Sequence, residues 1–339
     1  MRLTVCTRPF RAQGPRIEAE MVGRKKVVHS YGHGGSGWSL AWGSAEEAAA
    51  LALESQPERI AVVGAGAIGL TTALKLARMG VPVTIYAKEF PAESRSARAT
   101  GTWSPASRIA LEEYVDEAFA AKWAETTKRS YLHHQHYVGM DGHPVEFSHR
   151  YRLSDEPPTE GRDPNYTGPK FADLYNEVEG LVPKGIDLTG RDNPFPVPYA
   201  KRQISMTFNV SEYSRRLLED FQLLGGRIER AEFSDPSEVV ALPAPVIVNC
   251  TGYGARALWG DESLTPVRGQ ISWLAPQPDI RYGVYYKGVS VLSRRDGLIL
   301  QVNGKDESWG WQIDDETPSM EEFEYAVSTM APLFENWRG

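Results

Sequence analysis

Three glycines with the spacing Gly64-x-Gly66-x-x-Gly69 are the residues of this chain that most directly indicate a chemistry. They follow the apolar run Arg59–Val63 and precede a stretch with helical spacing. Gly64 permits a tight turn, Gly66 leaves room for a pyrophosphate beside the backbone, and Gly69 lets the helix pack close to the strand. The helix N-terminus adds unpaired N–H donors and a positive potential. The pattern therefore predicts a dinucleotide site.

The segments after these glycines complete a predicted βαβ unit. Apolar residues recur at helical spacing over Ala67–Met79, Gly80 can end that helix, and Val81–Ala87 has the composition of a strand. Dinucleotide sites of this type usually carry an acidic residue at the end of the second strand, where it binds the ribose. This chain has Lys88 and Glu89 there. Either Glu89 takes that role or the ribose is held in another way.

A second glycine-rich segment repeats the order of strand, loop and helix. Lys26–His29 is a short β-like run, the loop reads Tyr31-Gly-His-Gly-Gly-Ser-Gly-Trp-Ser39, and Trp38–Leu53 has the pattern of a helix. Ser44 and Glu47 have the spacing of a capping box for that helix.

Composition and charge narrow the class of partner. The chain has 339 residues, 41% of them hydrophobic, a formal net charge of -7 and two cysteines. These values exclude collagenous, disordered and disulfide-rich classes and allow two domains. A net negative charge gives no electrostatic reason to bind nucleic acid or an anionic membrane. Neither His33 nor the group His133, His134 and His136 has metal-ligand spacing. We therefore expect a small-molecule partner, no metal, and a soluble, cytoplasmic protein without a targeting segment.

The remaining periodic segments predict further helices and a second sheet. Helical patterns cover Phe119–His136, Val210–Leu224 and a last helix capped by Thr317, with Pro318 at its first position and Phe323, Ala326, Val327, Met330 and Phe334 at core spacing. Strand patterns cover Arg227–Arg230, Val246–Asn249, Ile271–Leu274, Val289–Leu292 and Leu298–Val302. The region 154–193 is loop-rich, and its strands cannot be placed from the pattern.

Several of these blocks resemble the D-amino acid oxidase family of flavoproteins. Arg59–Ala87 is similar to the family's FAD-binding start, and Thr100-Gly-Thr-Trp-Ser-Pro105 to its flavin-side loop. Val248-Asn-Cys-Thr-Gly252 and Pro266-Val-Arg-Gly-Gln270 resemble its central segment. The resemblance implies an α/β protein, in which a Rossmann-like FAD-binding domain is joined to a substrate domain built on a mixed or antiparallel sheet.

The block that resembles the family's C-terminal flavin and substrate signature lies near the start of this chain. It comprises Arg8-Pro-Phe-Arg11 and the loop 31–39. The resemblance therefore implies a circular permutation of the D-amino acid oxidase fold. The usual ends would be joined through Ser55–Glu58, and new ends would open between the helix ending near Trp337 and the strand starting near Leu3. Termini of compact domains often lie close together at the surface, so such a rearrangement can preserve the contacts.

With this order, residues 21–110 and 205–260 would form the FAD-binding domain, and residues 1–20, 111–204 and 261–339 the substrate-binding domain. The resemblance implies that FAD is bound by residues of five segments: Gly34, Ser36, Gly37, Trp38 and Ser39; Gly64, Gly66, Ala67, Ile68 and Gly69; Lys88, Glu89, Ser94, Arg95 and Ser96; Gly101, Thr102 and Trp103; and Cys250, Thr251 and Gly252.

The resemblance also implies three substrate contacts. Arg8 would bind the substrate carboxylate through its planar guanidinium. The Gly35 carbonyl would accept a hydrogen bond from the amine, and Tyr286 would contact the carboxylate. Tyr285 is a close alternative to Tyr286, and Ser290 stands where the family has a second tyrosine.

The implied reaction is oxidation of the C–N bond of an amino acid by hydride transfer from Cα–H to flavin N5, giving an imino acid, with O2 reoxidising the flavin to form hydrogen peroxide. Arg95 and Arg98 would meet an acidic substrate group or an FAD phosphate, or lie in solvent.

The same flavin could serve an oxidase or dehydrogenase of amines or N-substituted amino acids, and the fold could serve a non-catalytic nucleotide-binding regulatory protein. An NAD(P) domain is disfavoured, because the second glycine block has no role in a simple nicotinamide site. The sequence does not indicate the substrate's stereochemistry or the oligomeric state.

Overall fold

Two β-sheets organise the chain, and each collects strands from distant parts of the sequence. The computed structural model describes residues 1–158, 161–163 and 165–335. The strands are β1 (Arg2–Arg11), β2 (Arg16–Val22), β3 (Lys25–Tyr31), β4 (Ile60–Val63), β5 (Val83–Ala87), β6 (Val145–Ser154), β7 (Ile186–Leu188), β8 (Tyr199–Phe208), β9 (Arg227–Arg230), β10 (Val246–Asn249), β11 (Leu264–Leu274), β12 (Tyr282–Tyr286), β13 (Val289–Arg294) and β14 (Gly297–Val302). The helices are α1 (Gly37–Leu53), α2 (Ala67–Arg78), α3 (Glu117–Gln135), α4 (Val210–Leu223), α5 (Pro236–Val240), α6 (Ala255–Leu258) and α7 (Met320–Glu335).

The six-stranded sheet, in the order β2-β3-β10-β4-β5-β9, carries both glycine-rich loops. Strands β3, β10, β4, β5 and β9 run parallel, whereas β2 forms an antiparallel edge. Its apolar strands are covered on one face by α1, α2 and α4 and on the other by α5 and α6. Coverage of both faces is what a parallel sheet requires. This is the predicted Rossmann-like arrangement.

The eight-stranded sheet, in the order β1-β11-β14-β13-β12-β6-β8-β7, is antiparallel except where β12 meets β6. Helix α7 packs against one of its faces, which we call the helix face. A single apolar cluster joins strand residues of this face to the helix: Val284, Tyr286, Val289, Val291 and Leu300 with Ala326, Met330 and Leu333. This is the predicted mixed sheet.

The opposite face of the eight-stranded sheet is called the site face. Side chains alternate along a strand, and residues paired across neighbouring strands share a face. Followed across β1, β11, β14, β13 and β12, the register places on the site face Arg8, Gly269, Gln301, Ser290 and Tyr285. Arg294, also on this face, donates hydrogen bonds to the carbonyls of Ala99 and Thr100 (2.8 and 3.2 Å). The site face is therefore turned toward the predicted flavin-side loop.

Most predicted helices and strands are confirmed, with differences of a few residues at their ends. The predicted capping box of α1 is wrong. The helix begins after Ser36, and Ser44 lies buried inside it, where its Oγ is 2.9 Å from His33 Nε2. The sequence pattern suggested Ser44 because serine and glutamate spacing cannot distinguish a helix start from a buried hydrogen bond within a helix.

The last helix also begins later than predicted. It starts at Met320 rather than at Pro318, and the Thr317 N–H donates to Asp315 Oδ1 (2.8 Å). Val327 is exposed, whereas Leu333 is buried. The predicted helix end near Trp337 lies outside the described residues.

The loop-rich region contains one short strand, β7, in the part that the structure describes. The division into two domains remains a prediction. Two of its boundaries, at 20/21 and 204/205, fall inside strands β2 and β8. No helix in the described ranges has both the length and the apolar character needed to cross a membrane.

Candidate functional site

The carboxyl ends of four parallel strands meet at one edge of the six-stranded sheet. The register aligns His29, Asn249, Val63 and Tyr86 in a row, so the loops that follow β3, β10, β4 and β5 emerge side by side. In open parallel sheets, ligands bind at this edge, where the loops on the two sides of a strand separate. Both glycine-rich loops lie here.

The first glycine loop has the geometry of a dinucleotide cradle. Gly64 has φ +107°, and a Cβ at this position would lie 2.5 Å from the Cys250 carbonyl oxygen. A Cβ at Gly69 would lie 2.0 Å from the Gly64 carbonyl oxygen. Gly66 is partly exposed, and its Cβ would meet only the Ser96 side chain, at 2.9 Å from Oγ. These three close approaches require glycine and leave the backbone open to a pyrophosphate.

Helix α2 begins at this cradle. Its N-cap residue is Gly66, which has no side chain to accept hydrogen bonds from the first backbone N–H groups of the helix. The Ala67 N–H donates to Ser96 Oγ (2.9 Å), and the Trp38 indole Nε1–H donates to the Ser96 carbonyl (2.9 Å). Ser96 is thus fixed between the N-terminal ends of α1 and α2. Backbone donors, a hydroxyl and the positive end of a helix dipole together suit phosphate oxygens.

The second glycine loop is fixed on two sides by backbone hydrogen bonds. The Gly34 N–H donates to the Pro9 carbonyl (2.8 Å), and the Gly35 N–H donates to the Ser107 carbonyl (3.0 Å). A Cβ at Gly34 would lie 2.0 Å from the Arg108 carbonyl oxygen. Gly35 and Gly37 remain partly exposed, so this loop presents its backbone to the same open edge.

The predicted flavin-side loop connects the two sheets. The Ser104 N–H donates to Ser39 Oγ (2.8 Å), and the Phe208 N–H donates to the Gly101 carbonyl (2.7 Å). Thr102 forms a bridge to Thr207 of β8. Trp38, Ser39 and Trp103 are buried, whereas Gly35, Gly37, Gly66, Thr102, Ser104 and Thr251 are partly exposed. The structure therefore brings the five predicted cofactor segments together at this edge of the six-stranded sheet.

Two side chains predicted to bind the cofactor, Lys88 and Arg95, form ion pairs with other residues of the chain, and so does Arg98; their roles at the cofactor stay predictions. Lys88 Nζ pairs with Glu232 (2.5 Å), and Arg95 Nε pairs with Glu316 (2.8 Å). Arg98 also contacts Glu316 (3.5 Å). The Cys250 thiol is buried against α2, and burial raises its pKa to about 12.

Glu89 lies at the other end of the predicted cofactor region. With Lys88, Glu93 and Arg230 it lines a cleft of about 490 Å³ at the carboxyl end of β5. Ser94 is buried and donates from Oγ to the Pro91 carbonyl (2.8 Å). Glu89 thus borders an open cleft, and its role as a ribose ligand stays a prediction.

Arg8 occupies the site face beside the second glycine loop. Its Nη1–H donates to the Arg268 carbonyl (3.2 Å), and its guanidinium lies across Gly269, where a Cβ would be 2.4 Å from Nη2. Arg8 makes no ion pair with a carboxylate among residues 1–158, 161–163 and 165–335. A half-buried guanidinium without a counterion is suited to bind an anionic ligand.

Tyr286 is not beside Arg8, which corrects the prediction that both residues contact one carboxylate. Tyr286 points to the helix face, within the α7 cluster, and its hydroxyl donates to Asp155 (2.9 Å). Adjacent strand residues point to opposite faces, so Tyr285 lies on the site face with Arg8. The sequence left these neighbours open because it did not fix the phase of β12.

Three site-face or loop residues were not anticipated. Gly269 makes room for Arg8, Asn303 Nδ2–H donates to Ser290 Oγ (3.0 Å), and Arg108 packs its carbonyl against Gly34. Burial, together with the charge of Arg8, lowers the pKa of the Arg108 guanidinium to about 10. Gly269 stands within a quoted motif, whereas nothing in the sequence around Arg108 distinguishes it from a surface arginine.

Comparison with known proteins defines the class. The model of the FAD dependent oxidoreductase family (DAO) matches residues 59–337. The chain belongs to this family, whose cofactor is FAD, and the two glycine loops and the α2 N-terminus fit that cofactor.

The most similar curated relatives include D-amino acid oxidases. The chain is 26% identical to the enzyme of Dugesia ryukyuensis, over 74% of this chain and 71% of that protein. It is 28% identical to that of Streptomyces coelicolor (76% and 73%) and 27% identical to that of Dictyostelium discoideum (62% and 55%). The matches thus span between about half and three quarters of these relatives' length.

Solved structures show the fold. Glycine oxidase from Bacillus cereus superposes with a TM-score of 0.55 at 14% identity, over 83% of this chain and 81% of that chain. Glycine oxidase from Geobacillus kaustophilus gives 0.55 at 16% identity, over 82% and 78%. The predicted fold class is confirmed.

Proposed function

We propose that this protein is an FAD-dependent oxidase that acts on the Cα–N bond of an amino acid. The observation that carries the proposal is the placement of Arg8. Its unpaired guanidinium lies on the site face, two residues before Phe10, whose backbone bridges to His33 in the second glycine loop. A carboxylate bound by Arg8 would therefore stand beside the second glycine loop, one of the predicted cofactor segments.

The second glycine loop would orient the substrate amine. The Gly35 carbonyl accepts no hydrogen bond in the part of the chain that the structure describes, and Gly35 is partly exposed. Arg8 and this carbonyl would hold the carboxylate and the amine of one substrate, which fixes the direction of its Cα–H. Such positioning is the main contribution that the chain makes, because a two-point anchor converts an encounter into a fixed geometry.

Bound FAD would supply the redox chemistry, by taking up the electrons and the hydrogen that leave the substrate Cα. Gly66, Ser96 and the α2 N-terminus would hold the pyrophosphate, and Glu89 the ribose. Gly37, Thr102 and Thr251, which are partly exposed, would contact the cofactor. Tyr285 and the Ser290–Asn303 pair lie on the same face of the sheet as Arg8, on strands farther from β1.

The test is flavin bleaching by purified holoprotein without air. The panel would contain glycine, D- and L-amino acids and N-methyl amino acids. Bleaching that reverses on admitting air supports an amino acid oxidase, and bleaching that persists in air indicates a dehydrogenase. A holoprotein that no member of the panel bleaches would overturn the proposal.

We also propose that the chain is a circular permutation of the family fold. The family model begins to match at residue 59, directly after the proposed junction, and leaves out the segment that carries Arg8 and the second glycine loop. That segment nevertheless enters both sheets, since β1 pairs with β11 and β3 pairs with β10. These pairings support the view that residues 1–58 complete the fold that the family model describes.

A further inference from the structure

Arg108, which belongs to no predicted site, lies close enough to Arg8 for their charges to interact. Arg8 and Phe10 are two residues apart on β1 and so share the site face. The Phe10 and Phe171 rings meet edge to face, with centroids 5.2 Å apart, and the Arg108 guanidinium carbon is 5.7 Å from the Phe171 centroid. The head of Arg108 is therefore held at the end of the site face where Arg8 stands.

The backbone of Arg108 is fixed to the second glycine loop. Arg108 has φ +49°, an uncommon conformation for a residue with a side chain. Its carbonyl packs against Gly34, whose N–H donates to Pro9, the neighbour of Arg8. The preceding residue, Ser107, accepts the hydrogen bond from the Gly35 N–H. The Arg108 side chain thus starts from a backbone segment that lies beside Gly35, where the substrate amine would bind.

Neither guanidinium forms an ion pair with a carboxylate in the ranges that the structure describes, although the charge of Glu307 acts on Arg108 from beyond ion-pair distance. Arg108 donates from Nε and Nη2 to the Glu307 carbonyl (3.3 and 3.0 Å), while the Glu307 carboxylate contacts Arg162 (3.3 Å). Arg8 uses Nη1 on a backbone carbonyl. Burial and, to a smaller extent, the charge of Arg8 lower the pKa of Arg108, whereas the charge of Glu307 acts in the opposite direction. Bound anions would relieve the cost of burying this charge near Arg8.

We propose that the substrate is a dicarboxylic amino acid, with its α-carboxylate on Arg8 and its side-chain carboxylate on Arg108. This inference rests on the proposed function, which places the α-carboxylate and the amine. The Nη2 atom of Arg8 and the Nη1 atom of Arg108 make no hydrogen bond within the described residues. These two atoms would donate hydrogen bonds to the two substrate carboxylates. Arg95 and Arg98, which the sequence also suggested for an acidic group, already pair with Glu316, so Arg108 is favoured over them.

The activity test compares acids with their isosteric amides in the holoprotein. Aspartate against asparagine and glutamate against glutamine, each in both enantiomers, would be compared by anaerobic flavin reduction. We expect the acids to be preferred at least about tenfold in kcat/KM, since one charge-assisted hydrogen bond contributes about 1.5–3 kcal/mol. Arg108→Met should remove most of this preference by raising KM for the acids more than KM for the amides, and Arg108→Lys should restore part of it.

Arg162→Met is the matched control, because Arg162 shares Glu307 with Arg108 but pairs at the surface with Glu112. It should leave the preference unchanged. Equal rates for acids and amides in the unaltered protein would overturn the inference, and so would an Arg108→Met variant that slows both alike.

A binding experiment separates this inference from the proposed function. Succinate and its monoamide, succinamate, differ only in the second carboxylate. Calorimetry on the holoprotein should show tighter binding of succinate, and Arg108→Met should abolish the difference. If succinate is preferred through Arg108 but no amino acid bleaches the flavin, the oxidase proposal fails and the two-arginine site stands. If succinate and succinamate bind equally, the two-arginine site fails whatever the flavin does.

Discussion

Gly269 shows how one missing side chain positions another residue. The Arg8 guanidinium lies across its Cα, and any Cβ there would overlap the guanidinium. The sequence motif that contains Gly269 is on β11, and Arg8 is on β1, so only strand pairing brings the two together. At the scale of single residues, the missing side chain of a glycine therefore determines where an arginine of the candidate site can lie.

Replacement of Arg8 tests the carboxylate contact. Lysine keeps the charge but loses the planar pair of donors. We expect Arg8→Lys to lower kcat/KM for carboxylate substrates by roughly ten- to a hundredfold, the loss of one charge-assisted hydrogen bond, with FAD retained. Steady-state kinetics and flavin absorbance measure both. Arg24→Lys, in the exposed turn between β2 and β3, is the control. Unchanged kinetics for Arg8→Lys would exclude this residue from the substrate site.

The two neighbouring tyrosines of β12 should behave differently. Tyr286→Phe removes a hydrogen bond to the exposed Asp155 and should cost only about 0.5–1 kcal/mol of unfolding free energy, without changing KM. Tyr285→Phe, on the site face, should raise KM with little effect on stability. Urea unfolding and kinetics on both variants decide the matter. A raised KM in Tyr286→Phe alone would restore the sequence-based assignment.

At the scale of elements, the approach of α2 to β4 controls the cofactor site. Gly69 lies one turn into the helix, and its Cα packs on the Gly64 carbonyl. The sequence predicted the βαβ unit to which α2 and β4 belong. The contact between Gly69 and the Gly64 carbonyl fixes the distance between the α2 N-terminus and the sheet edge. Any side chain at this contact lifts the donors away from the phosphates.

Two glycine-to-alanine variants of α2 make this testable. Gly69→Ala would place a Cβ 2.0 Å from a carbonyl oxygen, so we expect loss of bound FAD. Gly80→Ala, just beyond the helix end at φ +83° with open space around it, should cost about 1–2 kcal/mol of stability and keep FAD. The ratio of flavin to protein absorbance after purification measures retention. Equal retention in both variants would contradict the cradle.

At the scale of the whole molecule, the order of segments can be reversed experimentally. The reordered chain would start at Arg59 and run to the present C-terminus. A flexible Gly/Ser linker would then join that end to residues 1–56, which restores the family's order. A linker of about 20 residues spans roughly 25 Å on average. We expect this variant to fold and retain FAD, as shown by circular dichroism and absorbance. Failure to fold, with a soluble unaltered chain as the control, would contradict the permutation.

Buried histidines should make the whole protein sensitive to acid. Burial lowers the pKa of His33 and of His134 to about 3. Both are neutral in the folded chain, whereas the unfolded chain binds their protons below about pH 6.5. Their contribution is therefore complete above pH 6.5 and is lost as the pH falls toward 3, by about 1.4 kcal/mol per pH unit and histidine.

Urea unfolding at pH 7 and pH 5 measures this loss. His33→Gln should flatten the dependence, and His149→Gln, at an exposed position, should not. Equal unfolding free energies at the two pH values in the unaltered protein would contradict the buried, neutral state of both histidines.

Local patterns predicted the βαβ unit, the second glycine loop and most elements of both sheets, because apolar period and glycine spacing are properties of contiguous residues. Element ends were less certain. Ser44 has the right neighbours for a cap, and only the buried bond to His33 reveals its place inside α1. The choice between Tyr285 and Tyr286 needed the phase of a strand that the sequence does not fix.

The sequence by itself determined the class of this protein: two glycine loops, each between a strand and a helix, and an arginine before the second. Tertiary structure alone decided which arginines are free. Arg95 and Arg98 pair with Glu316 from a distant segment, whereas Arg8 and Arg108 form no ion pair with a carboxylate in the described ranges. Charge compensation depends on distances between residues far apart in the chain, and strand pairing and loop packing set those distances only when the chain has folded.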